Sequence, residues 1–287
     1  MTSQIKTLVL LAALSAIILF LGAAMGGRAG LMFALLLALG MNFFSYWYSD
    51  KIVLRMYRAK ELSENDAPEL HALVEDLARN AGIPKPRVAL IPQESPNAFA
   101  TGRNPENAVV AVTSGILRIL KTDELRGVLA HEIGHVANRD ILIQSVAAVL
   151  ATAIMFVANM LRFAAFFGGT GSDNNRGGNP LAALLLSILA PIAAMLIQMA
   201  ISRSREYLAD EAGARISGQP LSLASALAKL HDTSQRVPLQ GNPATENMFI
   251  INPLSGGGIA GLFSTHPPVE ERIARLRAMA QGGRNAR

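Results

Sequence analysis

The chain of 287 residues contains no cysteine. This absence excludes disulfide bonds, thiolate metal ligands and a cysteine nucleophile, so a tightly bound metal must use His, Asp or Glu. Charged residues are scarce at 16%, whereas about a quarter is usual in a soluble domain. The net charge of +5 forms no basic stripe, which argues against a nucleic-acid partner. Low charge together with 51% hydrophobic residues predicts membrane segments.

Two long apolar stretches begin the chain, from about residue 7 to 25 and from about 29 to 48. Each is close to the ~20 residues that cross a bilayer. The second ends in aromatic residues typical of a membrane interface, and only three residues separate the two stretches. This pattern predicts a transmembrane hairpin over residues 1–49. A cleaved signal peptide is the alternative for the first stretch, but the second follows at once, which favours an uncleaved anchor.

Two further apolar stretches run from about 141 to 167 and from about 181 to 201. They predict a second hydrophobic helical hairpin over residues 141–201, either in the membrane or buried in a protein core. Basic residues cluster after the second and fourth stretches. The positive-inside rule therefore predicts a multi-pass protein whose termini and large segments lie in the cytoplasm.

The remaining segments predict a small, helix-rich α+β domain in two parts, residues 50–140 and 202–287. Helical periodicity and end signals favour helices at 66–81, 122–139, 221–230 and 269–280. Short β-like runs lie at 87–91 and 108–113. The second apolar hairpin therefore interrupts one domain.

An H-E-x-x-H motif, His131-Glu132-Ile133-Gly134-His135, lies within the predicted helix 122–139. The i, i+4 spacing puts both imidazoles on one helix face, where they can bind the same zinc ion. Glu132 lies beside that face and can deprotonate a water molecule at the metal. The alternative is a chance match, which the presence of only five histidines in the chain makes less probable.

Catalytic zinc usually takes three protein ligands, so the third must come from elsewhere in the chain. Glu206 is the candidate, with Asp210 one turn later as a hydrogen-bond acceptor for a ligand imidazole. Acidic pairs at this spacing are also common on solvated helix faces. His135 shortly precedes the third apolar stretch and Glu206 shortly follows the fourth, so an antiparallel hairpin returns both to the same end.

Four segments carry a resemblance to a known family: H-E-I-G-H, the downstream E-x-x-x-D, N-A-F-A-T-G, and the late run T-H-P-P-x-x-E-R-I. Together they resemble the HtpX-type heat-shock membrane metalloproteases, which are related to the CaaX prenyl proteases and to the gluzincin class. The resemblance covers nearly the whole chain. It implies a zincin-like domain with one zinc ion per chain, held by His131, His135 and Glu206, and Glu132 as general base.

The same resemblance implies further roles near the active site. Asn97, Ala98, Phe99 and Ala100 would lie on an edge strand that pairs with the substrate backbone, the alternative being an ordinary turn. His266 would stabilise the oxyanion as a catalytic group, and Arg272 would contact substrate. The alternative for this run is a helix N-terminus with Arg272 solvated.

The sequence therefore predicts a membrane-bound zinc endopeptidase in a bacterial-type inner membrane, with its active site facing the cytoplasm. The resemblance suggests protein substrates, membrane or misfolded, and a role in quality control during stress. One rival is a processing protease with a narrow substrate. Another is a non-catalytic membrane scaffold with a vestigial zinc site, against which the intact Glu132 argues.

Overall fold

The structure, a computed structural model, describes residues 3–167, 203–234, 248–250 and 267–282. The helices are α1 (Ser3–Met56), α2 (Pro68–Ala81), α3 (Ser114–Ile119), α4 (Thr122–Ala137), α5 (Ile141–Phe167), α6 (Arg203–Ser217), α7 (Pro220–Ser234) and α8 (Val269–Gly282). The strands are β1 (Lys60–Glu61), β2 (Arg87–Ile91), β3 (Ala98–Thr101) and β4 (Val109–Thr113). The predicted helix-rich α+β class is confirmed. The fourth apolar stretch and His266 lie outside the described residues.

The first two apolar stretches form a helical hairpin, α1, which bends at Gly27 (φ 55°, ψ −135°). The two arms touch where a Cβ on Gly30 would clash with the Gly22 carbonyl oxygen. Farther from the bend, Asn42 Nδ2 of the second arm donates a hydrogen bond to Ser15 Oγ of the first arm at 2.9 Å. By length and composition, Thr7–Ala24 and Gly26–Met56 are both able to cross a membrane.

The second arm of the hairpin continues to Met56, beyond the predicted end of this segment at residue 49. Packing explains the extension, because Val53 and the adjacent Tyr57 are buried in one cluster with residues of β2, β3 and β4. Tyr57 and Phe99 have ring centroids 5.8 Å apart. The end of the hairpin is therefore part of the domain core.

The sheet has the order β1-β2-β4-β3, with β2 and β4 parallel and the other pairs antiparallel. Alternate residues of β4 face opposite layers, as the two-residue period of a strand requires. Val110 and Val112 pack in a core with α2 and α4, while Val109 and Ala111 pack with the end of α1 and with α5. Both faces of the sheet are covered, and β3 lies at its edge.

The third apolar stretch begins inside the protein. A bend of 91° joins α4 to α5, whose first residues are almost all buried. Val146, Ala147 and Leu150 pack against Leu14 of α1. The start of α5 is therefore packed both on the domain and on the N-terminal hairpin, and its predicted place in lipid or in a protein core stays a prediction.

Candidate metal centre

Helix α4 carries the H-E-x-x-H motif through the centre of the domain. Lys121 is its N-cap, and the Glu124 carboxylate accepts a hydrogen bond from Lys121 N at 2.9 Å. Gly213 of α6 lies directly on this helix, because a Cβ at that position would be 2.9 Å from the Cα and N atoms of His131. This close approach of α4 and α6 brings Glu206 to the histidines.

The three predicted ligands meet in a buried group. Glu206 Oε2 lies 3.7 Å from His131 Nε2, and Glu206 Oε1 lies 3.5 Å from His135 Nε2. One ligand atom from each residue lies within 4.8 Å of the others. Tetrahedral zinc with bonds of about 2.0–2.1 Å separates its ligand atoms by roughly 3.4 Å. The spacing and the donor types therefore fit a divalent metal ion.

The buried nitrogen that faces Glu206 supports this fit. His131 Nε2 has no hydrogen-bond partner among the described residues, although the side chain is fully buried. A buried polar atom without a partner costs free energy unless a ligand satisfies it. A metal ion would use this lone pair.

A buried ion pair, Asp210 with Arg272, lies on the Nδ1 side of the His131 imidazole. Asp210 Oδ1 lies 2.9 Å from His131 Nδ1. Arg272 holds Asp210 with both ends of its guanidinium, at 2.8 Å and 2.7 Å, and donates to the Ile250 carbonyl oxygen at 2.7 Å. Arg272 is fully buried, so the alternative in which it is solvated is wrong. Its predicted contact with substrate stays a prediction.

The carboxylates around His131 favour a positive charge at this site. Burial alone would lower the pKa of His131, but the nearby Asp210 and Glu206 outweigh burial and raise it to about 9. Burial would likewise raise the pKa of Asp210, but the charge and hydrogen bonds of Arg272 and the contact with His131 hold it at about 2. Asp210 therefore stays ionised and can fix the proton of His131 on Nδ1, leaving Nε2 for a metal.

The Glu132 side chain, on the motif helix α4, is buried against the edge strand β3. Its Oε2 accepts a hydrogen bond from Ala100 N at 2.9 Å, while Oε1 has no hydrogen-bond partner within the described part of the chain. Burial raises the pKa of Glu132 above its ordinary value. A raised pKa brings a carboxylate closer to the range in which it can accept and return a proton.

The segment predicted as a substrate-pairing strand is a strand and not a turn. Ala98, Phe99 and Ala100 belong to the edge strand β3, and all are buried. Asn97 precedes them, and its Oδ1 accepts hydrogen bonds from Ala98 N at 3.0 Å and from Ile250 N at 3.3 Å. Asn97 therefore links the edge strand to the segment that also contacts Arg272.

Sequence reasoning missed one residue near the histidines. Asp140 Oδ2 lies 3.7 Å from His135 Nδ1, and Asp140 N donates to the His135 carbonyl oxygen at 2.9 Å. Arg205 lies 4.0 Å from the other Asp140 oxygen. The sequence feature that could have indicated Asp140 is its position just past the end of the motif helix, where a turn can bring an acidic side chain back to His135.

A helix-borne H-E-x-x-H motif, joined by a glutamate from a later helix and attached to an apolar hairpin, defines a membrane-associated metalloprotease. The profile of Peptidase family M48 matches residues 64–280, and the chain belongs to this family. The predicted resemblance is confirmed, and the family implies a metal cofactor.

Curated relatives called "Protease HtpX homolog" match nearly the full length of the chain. The protein of Desulfatibacillum aliphaticivorans is 58% identical over 277 residues, covering 96% of this chain and 89% of the relative. That of Syntrophobacter fumaroxidans is 59% identical over 282 residues, covering 97% and 100%. That of Thermococcus sibiricus is 59% identical over 280 residues, covering 96% of each.

Among solved structures, the chain is similar to the crystal structure of S. mikatae Ste24p. The TM-score is 0.54 at 20% identity, over 95% of this chain. The match spans 65% of that longer protein, and at 20% identity it shows a shared fold only.

Proposed function

We propose that this protein is a zinc-dependent endopeptidase in which His131, His135 and Glu206 bind the metal and Glu132 is the general base. The observation that carries the proposal is the buried convergence of two imidazoles and one carboxylate from α4 and α6 within 4.8 Å. Glu132 follows His131 directly in the same helix and keeps one oxygen without a hydrogen-bond partner among the described residues.

The metal ion and the side chains around it have separate roles in peptide-bond hydrolysis. Zinc, when bound, polarises the scissile carbonyl and lowers the pKa of a water molecule toward about 7. Glu132 takes a proton from the attacking water and delivers it to the leaving amine, so the carboxylate is regenerated in each cycle. Asp210 orients His131, and Arg272 keeps Asp210 ionised and in place.

Substrate binding uses the edge of the sheet. An extended peptide pairs with the segment Asn97, Ala98, Phe99 and Ala100, which holds a backbone without selecting much of its sequence. The position of β3 at the sheet edge, in hydrogen-bond contact with Glu132, supports this arrangement. His266 supplies a hydrogen bond or charge to the oxyanion.

Loose sequence selection and an apolar anchor suit a protease that removes membrane or misfolded proteins in quality control. The basic residues that follow the apolar stretches support a multi-pass protein in the cell inner membrane with its active site facing the cytoplasm.

The test is casein cleavage by detergent-purified protein, combined with measurement of bound zinc. We expect one zinc per chain, loss of cleavage with a chelator and recovery on zinc addition. Glu206→Gln should lose both zinc and cleavage, while Glu211→Gln, an exposed carboxylate on the same helix, should keep both. Zinc binding unaffected by Glu206→Gln would refute the ligand set.

Two outcomes would redirect the functional assignment. Zinc binding without cleavage of any unfolded protein would favour the scaffold. Substrate profiling that finds a single cleaved membrane protein would favour a narrow processing protease over quality control.

A further inference from the structure

A cavity of about 640 Å³ lies between the N-terminal hairpin and the protease domain, away from the metal centre. We propose that it binds the headgroup of an anionic phospholipid. The proposal depends on three properties of the cavity, which are its position at the end of the membrane hairpin, its positive charge and its apolar wall.

The position of the cavity matches a membrane interface. Thr7, where the first apolar segment begins, lines the cavity together with Tyr46 and Trp47 from the second arm of the hairpin. Tyr46 and Trp47 are 40% and 46% exposed, and such aromatic side chains collect at the level of lipid headgroups. The cavity therefore opens where headgroups lie.

The charge of the cavity suits a phosphate. Arg103 and Arg139 line it, and its described lining includes no acidic residue. Neither guanidinium has a carboxylate within 4.0 Å among the described residues. Arg103 Cζ lies 4.7 Å from the centroid of the Trp47 ring, and this cation–π contact leaves the guanidinium N–H groups available to donate to a phosphate.

The apolar wall favours a lipid over a free anion. Leu8 and Leu11 of the hairpin and Leu142 of α5 line the same cavity as the arginines. Leu8 is 68% exposed and belongs to a segment able to cross a membrane. A phospholipid satisfies both surfaces at once, with its phosphate on the arginines and its acyl chain along the leucines. Inorganic phosphate would leave the leucines uncovered.

The two arginines also connect the cavity to the catalytic elements. Arg103 follows β3 by two residues, and Arg139 lies in the bend between α4 and α5 with a φ of 58°. A bound headgroup would therefore join the hairpin to the segments that leave the edge strand and the motif helix.

The chain has a single tryptophan, Trp47, so its fluorescence reports directly on the cavity. The full-length protein is placed in bilayers of phosphatidylcholine with brominated acyl chains, which quench tryptophan emission. Unbrominated phosphatidylglycerol or unbrominated phosphatidylcholine then replaces the brominated lipid stepwise. We expect phosphatidylglycerol to restore emission at a several-fold lower mole fraction than phosphatidylcholine does.

Matched variants separate the cavity from general surface charge. Arg103→Gln and Arg139→Gln should each lower the preference for phosphatidylglycerol about fivefold, the factor expected for one arginine near a lipid surface. Arg55→Gln removes an exposed arginine outside the cavity at the end of α1 and should change the preference less than about twofold. Melting followed by circular dichroism checks that each variant folds, with Arg139→Asn as a substitute because Asn tolerates a positive φ.

Three results would overturn the proposal. Equal recovery with the two unbrominated lipids would show that no headgroup is preferred. Equal losses in the Arg55, Arg103 and Arg139 variants would assign the preference to the surface as a whole. If excess inorganic phosphate abolished the preference more than chloride of equal ionic strength, the ligand would be free phosphate and not a lipid.

Discussion

The N-terminal hairpin and the motif helix are both helices, but the hairpin exposes many large apolar side chains whereas the motif helix exposes none. In α1 the apolar residues Phe20, Phe33 and Leu36 are 71%, 70% and 68% exposed, while a polar pair lies between the arms. In α4 every residue from 128 to 136 is buried, including the three polar residues of the motif. The hairpin is suited to lipid and the domain to water.

The hairpin and the domain also differ in the polar groups that they bury. Removing a charged group from water costs free energy unless partners compensate for it. In the hairpin, the polar contact between the arms joins two neutral groups, the Asn42 amide and the Ser15 hydroxyl. In the domain, charged side chains are buried around the metal centre, and Arg272 and Asp210 form a buried ion pair there. Four predictions test this difference between the hairpin and the domain.

Glu132→Gln should reduce casein cleavage by about 10²–10⁴-fold, the usual contribution of a general acid–base group. It should leave the melting temperature unchanged or raise it, because burial disfavours the carboxylate and an amide can still accept the hydrogen bond of Ala100 N. Unchanged cleavage would remove Glu132 from the mechanism. A large fall in melting temperature would show that its burial serves folding.

Arg272→Met should destabilise the domain by about 3–5 kcal/mol, because Asp210 would remain buried without its partner. Arg28→Met, at an exposed arginine of the hairpin, should have almost no effect. Thermal melting in detergent measures both. Adding Asp210→Asn to Arg272→Met should restore part of the loss, and an additive further loss would argue against a coupled pair.

Leu129→Ala should cost about 2–5 kcal/mol, since Leu129 is fully buried in the core of the water-exposed domain. The same substitution at the exposed Leu36 should cost less than about 0.5 kcal/mol. Comparison of the two melting temperatures checks this difference. Equal losses would mean that the exposed face of the hairpin packs on protein and not on lipid.

Gly213→Ala should cost about 1–3 kcal/mol, because the added Cβ would press on the His131 backbone and separate α6 from α4. Gly26→Ala is the matched control, since a Cβ at that position would meet no neighbouring group of the described residues within 4 Å. Melting temperature and zinc affinity are the measurements. Full zinc affinity in Gly213→Ala would show that Glu206 reaches the histidines without this close contact.

Local patterns account for the parts of the molecule that were predicted correctly. The helix 122–139 was expected from its periodicity and is observed as Thr122–Ala137, and the strand 87–91 is observed with the same bounds. The i, i+4 spacing of His131 and His135 places both on one helix face wherever that helix lies. Apolar length likewise predicts a hairpin without knowledge of its neighbours.

The amino-acid pattern alone predicts the apolar hairpin, the motif helix and the shared face of His131 and His135, because each of these depends on residues that are close together in the chain. The folded protein adds the strand order, the extension of α1 into the core and the burial of Arg272 against Asp210, which lie 62 residues apart. Such contacts form when distant elements pack together, and the environment of a charged side chain is set by those elements and not by its neighbours in the chain.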